Sequence, residues 1–451
     1  MTDVAMRTDR YELTMLDALF RDGRAHDKAV FDLFARKLPQ GRTYGVVAGT
    51  NRFLDMLTAE SEDEFADESK FQFTLDELTW IRENMDLSEE TLAFLTDFKF
   101  TGTIYGYREG SLYFPNSPVL TITGTLAECI VLETLALSIL NHDSAIASAA
   151  ARMVQAANCR DLIEMGSRRT HEEAAVAAAR AAYIAGFDST SNLAAGVRYG
   201  VPTVGTSAHA FTLVYTDEKD AFRAQVRAQG VKTSLLIDTY DIEQGVRNAV
   251  EVAREFGEEG PGAVRIDSGD LAVESVRVRG LLDELGAYRT DITVTSDLDE
   301  YELDRLAAAP INTFGVGTRL VTGSGHPTAG MVYKLVAIED GDGRLRPVEK
   351  KSSGKRSHGG FKNVYRDYSD IEGTLCSETV EANLDGFHDP AAFNEVLFTN
   401  GRIVVPTSMS SMRQWHADEM ASLPDEAHVL TSGAINPVVE TFASEKAPVP
   451  A

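Results

Sequence analysis

The chain has 451 residues, a length that favours two or three domains. Of these residues 43% are hydrophobic and 25% are charged, a composition typical of a soluble globular protein. Its formal net charge of −26 disfavours binding to nucleic acid or to anionic lipid. We find no apolar run of about 18 residues and no basic start followed by an apolar segment, so we predict a cytoplasmic protein without a membrane span. Three widely spaced cysteines argue against a disulfide framework or a zinc site.

Residues 1–125 combine helical and β-type patterns, and we predict that they form a first domain. Residues 9–20 predict a helix with Thr8 as its N-cap, and residues 29–35 predict a strand. The acidic stretch 59–69 is typical of a solvated connector. Residues 98–125 predict further strands, separated by glycine and Pro-Asn turns.

Residues 126–325 change to a repeating strand–helix rhythm. Two alanine-rich helical stretches, 126–140 and 144–158, come first. Six short apolar runs then end in polar residues or glycine, at 161–166, 201–209, 234–241, 263–270, 292–299 and 311–318. Helical patterns lie between them at 172–185, 242–256, 271–285 and 299–308. This alternation predicts a parallel sheet of βα units, and the number of units suits an α/β barrel better than an open sheet.

After Gly330 the β-type pattern returns. This piece is too short to form a domain of its own, so we expect residues 326–440 to pack on the N-terminal domain. That domain would then be discontinuous in sequence. We expect residues 441–451 to form a mobile tail.

Polar residues collect where the predicted strands end. In βα architectures the loops at this edge of the sheet carry the ligand site. Arg168, Arg169 and Arg265 suit a carboxylate or a phosphate, and the Gly315–Thr318 stretch offers backbone N–H groups to a phosphate. Carboxylates can hold ribose hydroxyls or Mg²⁺, and the candidates are Asp238, Asp267, Asp270 and Asp297. The predicted ligand is a phosphorylated sugar with an anionic partner.

His209 follows the second predicted strand and lies between Ala208 and Ala210. A single histidine is often structural. However, the small neighbours leave space for a phosphoryl donor, and neutral imidazole is a competent phosphoryl acceptor. Both interpretations stay open on the residues alone.

Six motifs, in this order along the chain, together resemble the nicotinate phosphoribosyltransferase family. They are TDRYELTM (8–15), EMGSRRTH (164–171), GFDSTSN (186–192), GTSAHAF (205–211), RIDSGD (265–270) and FGVGTR (314–319). The resemblance extends from about residue 8 to at least residue 362. It implies a type II phosphoribosyltransferase fold, in which an irregular α/β barrel accompanies an open-faced sandwich domain, and a homodimer with active sites shared between subunits.

The resemblance also implies roles for individual residues. Tyr11 would stack on the pyridine ring from the neighbouring subunit, and Gly166, Ser167, Arg168 and Ser191 would surround the nicotinate end. His209 would be phosphorylated by ATP. The residues for phosphoribosyl pyrophosphate (PRPP) would be Asp238, Arg265, Asp267, Ser268, Asp297, Gly315, Gly317 and Thr318. Lys351 and Lys355 would contact ATP or pyrophosphate, and Mg²⁺ would be bound through the pyrophosphate.

The implied reaction joins nicotinate to PRPP, forming nicotinate mononucleotide and pyrophosphate for NAD salvage, with ATP hydrolysis through a phosphohistidine. Three alternatives remain. A nicotinamide-using relative would place an aspartate near Ser191, and a quinolinate-using relative would need more basic residues and leave His209 unexplained. The third is a non-catalytic barrel that binds a phosphorylated metabolite.

Overall fold

The structure, a computed structural model, describes residues 4–58, 70–350, 358–369, 373–383, 386 and 388–430, and the backbone of 439–444. The chain divides into two compact units. The first unit comprises Met1–Ala145 with Thr328–Ala451, and the second comprises Ile146–Pro327. The sequence placed these boundaries at 125 and 325. The first boundary lies later because apolar residues of 126–140, including Leu126, Leu135 and Leu140, are buried in the core of the first unit.

Helices and strands are numbered in chain order. The α-helices are α1 (Arg10–Arg21), α2 (Thr50–Leu57), α3 (Leu75–Asn84), α4 (Glu89–Thr96), α5 (Leu126–Val131), α6 (Glu133–Ala157), α7 (Glu172–Ile184), α8 (Leu193–Tyr199), α9 (His209–Thr212), α10 (Glu218–Gln229), α11 (Ile242–Glu255), α12 (Leu271–Glu284), α13 (Glu300–Arg305), α14 (Thr318–Val321) and α15 (Met409–Ala421). The strands are β1 (Lys28–Ala35), β2 (Gly45–Val46), β3 (Thr103–Gly106), β4 (Leu112–Tyr113), β5 (Leu120–Thr125), β6 (Asp161–Glu164), β7 (Ser189–Thr190), β8 (Ser234–Leu236), β9 (Ala263–Ile266), β10 (Asp291–Ser296), β11 (Thr313–Val316), β12 (Met331–Glu339), β13 (Leu345–Pro347), β14 (Phe361–Tyr368), β15 (Leu375–Asn383), β16 (Glu395–Thr399), β17 (Arg402–Ile403) and β18 (Val439–Ser444). Short 3-10 turns occupy Gly323–Gly325 and Asp425–His428.

The first unit is built on an antiparallel sheet with the strand order β13-β12-β1-β5-β3-β16-β17. Strand β12 pairs with β1 from Ala29↔Ile338 to Ala35↔Met331, so the two sequence segments of this unit contribute neighbouring strands. Apolar side chains of α1, α5 and the start of α6 pack with this sheet in one core. Burying such side chains is the main favourable term that holds the unit together.

The second unit is built on a parallel sheet with the strand order β7-β6-β11-β10-β9-β8. Helices connect successive strands, as parallel pairing requires. The carboxyl ends of all six strands therefore lie at the same edge of the sheet. The predicted α/β class is confirmed, and expected site residues follow each of these six strands.

The predicted strand at 201–209 is wrong. In the structure this segment makes only an isolated bridge between Thr203 and Thr190, and residues 202–205 are exposed. Pro202 has no N–H for a ladder, and the exposed residues gain no burial from pairing. The edge position is instead taken by β7 (Ser189–Thr190), which pairs with β6 and which the sequence analysis did not predict.

Several helix boundaries also differ from the predictions. The helices predicted at 126–140 and 144–158 are replaced by α5 (Leu126–Val131) and the long helix α6 (Glu133–Ala157). Helix α6 continues through 141–143 because Asn141 and Asp143 have partners within the first unit. Asn141 accepts from the Met331 N–H, and Asp143 pairs with Arg52 at 2.6 Å. Helix α1 has Asp9 rather than Thr8 as its N-cap, since the Thr8 hydroxyl donates to Glu12 one turn later.

Strand β18 overlaps the segment expected to be a mobile tail. It pairs in parallel with β15 from Ser377↔Val439 to Ala382↔Ser444. Backbone pairing therefore extends beyond residue 441. Among the described residues, no helix is long and apolar enough to cross a membrane.

Candidate active site

A cavity of about 410 Å³ lies at the carboxyl edge of the parallel sheet in the second unit. Its walls come from the loops that follow β6, β9, β10 and β11, together with the 207–208 segment. The lining residues are Met165, Arg168, Arg169, Ser207, Ala208, Arg265, Asp267, Thr295, Ser296, Asp297, Gly315, Gly317 and Thr318. Strand ends thus bring together residues from Met165 to Thr318, which lie far apart in sequence.

A second cavity, of about 490 Å³, lies in the first unit beside α15. Its basic residue, Arg108, is paired with Glu395 and lies over the ring of Trp415, with 4.8 Å between the guanidinium carbon and the ring centroid. The larger cavity therefore offers an anion less positive charge than the smaller one. We take the cavity at the strand ends as the candidate active site.

Two arginines make that cavity suitable for an anion. Arg265 extends from β9, and its Nη1 donates to the Thr206 hydroxyl at 3.0 Å. Its buried Nε has no hydrogen-bond partner among the described residues. Burial lowers the pKa of Arg265, and nearby Arg168 lowers it further, while Asp267 and Asp238 oppose both effects. A bound anion would relieve the repulsion between the two guanidinium groups.

Glycines after β11 allow the backbone to lie close to its neighbours. A Cβ atom at Gly315 would lie 2.5 Å from Cγ2 of Thr295 and 2.7 Å from Sδ of Met165. At Gly317 it would lie 3.3 Å from the Met165 carbonyl oxygen. Thr318 then begins α14, so the first N–H groups of a helical turn follow directly. Such a glycine-rich entry to a turn is a common way to bind phosphate through the backbone.

Carboxylates lie close enough to Arg265 to interact with its charge. One oxygen of Asp238 accepts from the Asp267 N–H at 2.9 Å and from the Ser268 hydroxyl at 2.6 Å. Asp267 in turn accepts from the Thr295 hydroxyl. Asp297 is exposed and lines the same cavity. These hydrogen bonds fix the orientation of Asp238 and Asp267 before any ligand binds.

His209 is the first residue of α9, and its side chain is 40% exposed. Its Nδ1 lies 3.1 Å from the Thr239 hydroxyl oxygen. Its Nε2 lies 3.8 Å from an oxygen of Asp238 and 3.8 Å from one of Asp267. If Nδ1–H donates to Thr239, the lone pair on Nε2 is free to attack an electrophile.

The loops after β6 and β7 bring Ser167, Arg168 and Ser191 into one neighbourhood. The Nδ2 of Asn192 donates to the Ser167 hydroxyl at 3.0 Å, and the Ser191 N–H donates to the Glu164 carbonyl at 2.9 Å. Gly166 is buried, whereas Arg168 and Ser191 are exposed and available to a ligand.

Three expected site residues lie outside this group. Tyr11 belongs to the first unit, where its side chain is 48% exposed on α1. Burial of part of the ring, with the carboxylates of Glu133, Glu12 and Asp9, raises the pKa of Tyr11 to about 12, so it is a neutral phenol at physiological pH. Lys351 and Lys355 fall outside the described residues.

Sequence reasoning missed the hydroxyl and amide groups that hold the charged residues. Thr206, Thr239 and Thr295 bond to Arg265, His209 and Asp267 respectively, and Asn192 bonds to Ser167. Each lies within or beside a strand-end motif, which was the available signal. The described residues include no group of three or more His, Cys, Asp or Glu side chains arranged to hold a metal ion.

Residues 6–141 match the family model for the nicotinate phosphoribosyltransferase N-terminal domain. Nicotinate phosphoribosyltransferase pncB1 of Mycobacterium tuberculosis is 50% identical over 445 residues, covering 94% of this chain and 92% of that protein. The Bacillus subtilis nicotinate phosphoribosyltransferase is 38% identical over 370 residues, covering 80% and 73%.

The fold has a counterpart among solved structures. The crystal structure of human nicotinic acid phosphoribosyltransferase superposes with a TM-score of 0.78 at 24% sequence identity, covering 96% of this chain and 97% of that one. At that identity the likeness concerns the fold. The 50% identity to the Mycobacterium tuberculosis protein over 94% of this chain shows that this chain belongs to the nicotinate phosphoribosyltransferase family.

Proposed function

We propose that this chain forms nicotinate mononucleotide and pyrophosphate from nicotinate and PRPP in NAD salvage, and that ATP hydrolysis through phosphorylated His209 is coupled to the transfer. Family membership supports the reaction. The observation that carries the coupling is the position of His209, whose Nε2 lies 3.8 Å from both Asp238 and Asp267 beside the anion-binding cavity.

PRPP would occupy the cavity at the strand ends. Its 5′-phosphate would accept from the backbone at Gly315–Thr318, and Arg265 would bind another phosphate group. Asp267 and Asp297, both exposed at the cavity, would accept from the ribose hydroxyls. Mg²⁺ is usually bound by one or two protein carboxylates together with substrate phosphates, and Asp267 and Asp297 could supply these carboxylates. When bound, Mg²⁺ would neutralise charge on the departing pyrophosphate.

Nicotinate would lie beside the loops after β6 and β7. Arg168 would bind its carboxylate, with Ser167 and Ser191 as neutral hydrogen-bonding groups. Tyr11 of a second subunit in a homodimer would stack on the pyridine ring, which fits its exposed and neutral phenol.

In the transfer, the pyridine nitrogen uses its lone pair to form a bond to the anomeric carbon of the ribose, and the bond from that carbon to pyrophosphate breaks. The pyridine nitrogen carries no proton, so no general base is needed. Positive charge grows on the ribose in the transition state while negative charge grows on pyrophosphate. The protein therefore has to position the reactants and stabilise the leaving group. Among the described residues, Arg265 would contribute most to stabilising pyrophosphate.

The ATP half uses the Nε2 lone pair of His209. It attacks the terminal phosphorus of ATP, a P–N bond forms, and ADP leaves. Water later cleaves this bond, releasing phosphate and restoring the imidazole. Added negative charge beside the cavity changes its electrostatics, and this gives a route by which ATP hydrolysis can influence PRPP and nicotinate binding.

Pyrophosphate release with nicotinate or nicotinamide, each with and without ATP, tests the proposal. We expect release that requires nicotinate and is stimulated by ATP. Equal rates with the amide would favour a nicotinamide-using enzyme, and binding of PRPP without release would favour a non-catalytic barrel. A rate with nicotinate that does not depend on ATP would contradict the proposed coupling of ATP hydrolysis to the transfer.

A further inference from the structure

Glu164 is a buried acid whose role the proposed mechanism leaves open. It is the last residue of β6, immediately before the 165–168 loop, and its side chain is inaccessible to solvent. Its carboxylate accepts from the Gly166 N–H and from the Thr190 hydroxyl. One side chain thus bonds to both loops that carry the expected nicotinate residues.

The network continues from Thr190 back to the first loop. The Thr190 hydroxyl oxygen accepts from the Asn192 N–H at 2.9 Å, and the Asn192 amide donates to Ser167 at 3.0 Å. Hydrogen bonds therefore connect Glu164 to Thr190, Thr190 to Asn192, and Asn192 to Ser167. The main chain from Ser167 to Gly166, and the hydrogen bond from Gly166 to Glu164, complete the network. This network fixes Ser167 and its neighbour Arg168 relative to Ser191.

The packing around Gly166 leaves the loop little freedom. A Cβ atom there would lie 2.9 Å from the Oε1 of Glu164 and 2.1 Å from Cγ1 of Val321. The glycine allows its backbone to lie directly on the carboxylate. Glu164 and Gly166 together determine how closely the 165–168 loop packs against the end of β6.

A buried carboxylate in this position is costly for stability. Burial raises the pKa of Glu164, and the hydrogen bonds from Thr190 and Gly166 oppose that shift without a cation. An apolar side chain of similar volume would avoid the desolvation penalty. A stability argument therefore does not explain a glutamate here, whereas orientation of a binding loop does.

We propose that Glu164 is a positioning residue that holds the carboxylate-binding loop (residues 166–168) in register with the Ser191 loop, and so determines affinity for nicotinate. This inference rests on the proposed function. Glu164 acts through Gly166 and Thr190, and it does not itself contact the substrate. Losing it should weaken nicotinate binding specifically, because the PRPP residues on β9, β10 and β11 keep their own hydrogen bonds.

The test compares Glu164→Ala with Glu164→Gln by steady-state kinetics. Glu164→Ala should raise KM for nicotinate by about tenfold or more while KM for PRPP changes by less than about threefold, since one or two buried hydrogen bonds are lost at one subsite only. Glu164→Gln keeps the shape of the side chain and two polar atoms at its end. Its KM for nicotinate should therefore lie much closer to the wild-type value than that of Glu164→Ala. Glu218→Gln serves as the matched control, since Glu218 is another buried acid with a raised pKa, bonded to Asn248.

A second pair of variants covers the case in which Glu164→Ala does not fold. Thr190→Val removes the hydroxyl that bonds to Glu164 and keeps the side-chain volume, while Thr190→Ser retains the hydroxyl. We expect the valine variant to reproduce the selective rise in KM for nicotinate. The serine variant should keep KM for nicotinate near the wild-type value. Equal changes in both KM values, or a loss confined to kcat and melting temperature, would overturn the inference. Failure of the wild-type chain to use nicotinate would instead contradict the proposed function.

Discussion

The Nε2 atom of His209 lies 3.8 Å from the Oδ1 of Asp238, a carboxylate oxygen that is buried and has no hydrogen-bond partner among the described residues. The other oxygen of Asp238 is occupied by the Asp267 N–H and the Ser268 hydroxyl. The contact that orients the imidazole is the one between Nδ1 and the Thr239 hydroxyl, while this carboxylate adds negative charge near Nε2. The hydrogen bonds of Asp238 connect it to the 267–268 loop, which we propose binds PRPP.

Replacing Arg168 with glutamine should weaken discrimination between nicotinate and nicotinamide. A hydrogen bond to a charged group contributes about 1.5–3 kcal/mol, so kcat/KM for nicotinate should fall by about 10- to 150-fold with little change for the amide. Arg198→Gln, at an exposed arginine paired with Glu173 in the same unit, should leave both values unchanged. An unaltered acid preference in Arg168→Gln would assign the carboxylate to another residue.

Ser191→Asp places a negative charge where we expect a carboxylate substrate. Nicotinate use should fall further than in Ser191→Asn, which has nearly the same size and no charge. The measurement is kcat/KM for nicotinate with PRPP saturating. Similar values for the two variants would show that the position does not face the substrate carboxylate.

Gly315→Ala should impair PRPP binding. The added Cβ would lie 2.5 Å from Thr295 and 2.7 Å from Met165, so the segment that follows β11 must move. We expect KM for PRPP to rise by about tenfold, as expected when backbone donors to a phosphate are displaced. Gly280→Ala is the control, because that helical glycine has open space around it and alanine favours a helix. An unchanged KM for PRPP would place the 5′-phosphate elsewhere.

Tyr11 should act in trans. Tyr11→Ala and Arg168→Ala should each be nearly inactive alone, whereas a mixed dimer contains one site in which both residues are intact. Activity should partly return when the two variants are refolded together, and Tyr11→Phe, which keeps the ring, should retain activity. Mixtures in which subunit exchange is demonstrated but activity does not return would place Tyr11 in cis or in a structural role.

Glu12 should make stability depend on pH. Burial raises the pKa of this carboxyl from 4.5 to about 7, helped by Glu133 and Asp9 and opposed by the hydroxyls of Thr134 and Thr8. A raised folded-state pKa means that the folded protein binds the proton more tightly. The contribution to stability is therefore complete below about pH 4.5 and is lost as the pH rises through about 7.

Glu12→Gln, which imitates the protonated acid, should remove this dependence. Its free energy of unfolding minus that of the wild type should increase by about 3 kcal/mol across that pH range. Urea titrations at several pH values measure this difference. Glu90→Gln, at an exposed glutamate in the same unit, should give a profile parallel to the wild type. A parallel profile for Glu12→Gln would show that Glu12 titrates normally.

The elements that sequence patterns predicted well are those with a strong local signal. Strands β6, β9, β10 and β11 and helices α7, α11 and α12 have apolar runs or helical periodicity that are sufficient in themselves. Strand β7 has two residues and becomes a strand only because β6 lies beside it, so no local pattern could reveal it. Likewise, only tertiary partners explain why α6 continues through Asn141 and Asp143.

The site shows the same division between local and tertiary information. Its charged residues were visible as strand-end motifs, and the cavity contains Arg168, Arg265, Asp267 and Asp297 together. The network through Glu164 was not visible, because a single acid at the end of a strand has no distinctive spacing. Its significance depends on the distance between two loops that are about twenty residues apart in sequence.

The variant His209→Asn tests most directly whether His209 couples ATP hydrolysis to the transfer. The variant keeps much of the size and polarity of histidine but cannot accept a phosphoryl group in the same way. ADP and nicotinate mononucleotide are followed in one reaction, with His26→Asn, at an exposed histidine of the first unit, as control. We predict that His209→Asn loses ATP hydrolysis and acid-labile labelling from ATP while it retains slow, ATP-independent mononucleotide formation. ATP-stimulated mononucleotide formation at the wild-type rate would contradict the account and leave His209 with a structural role.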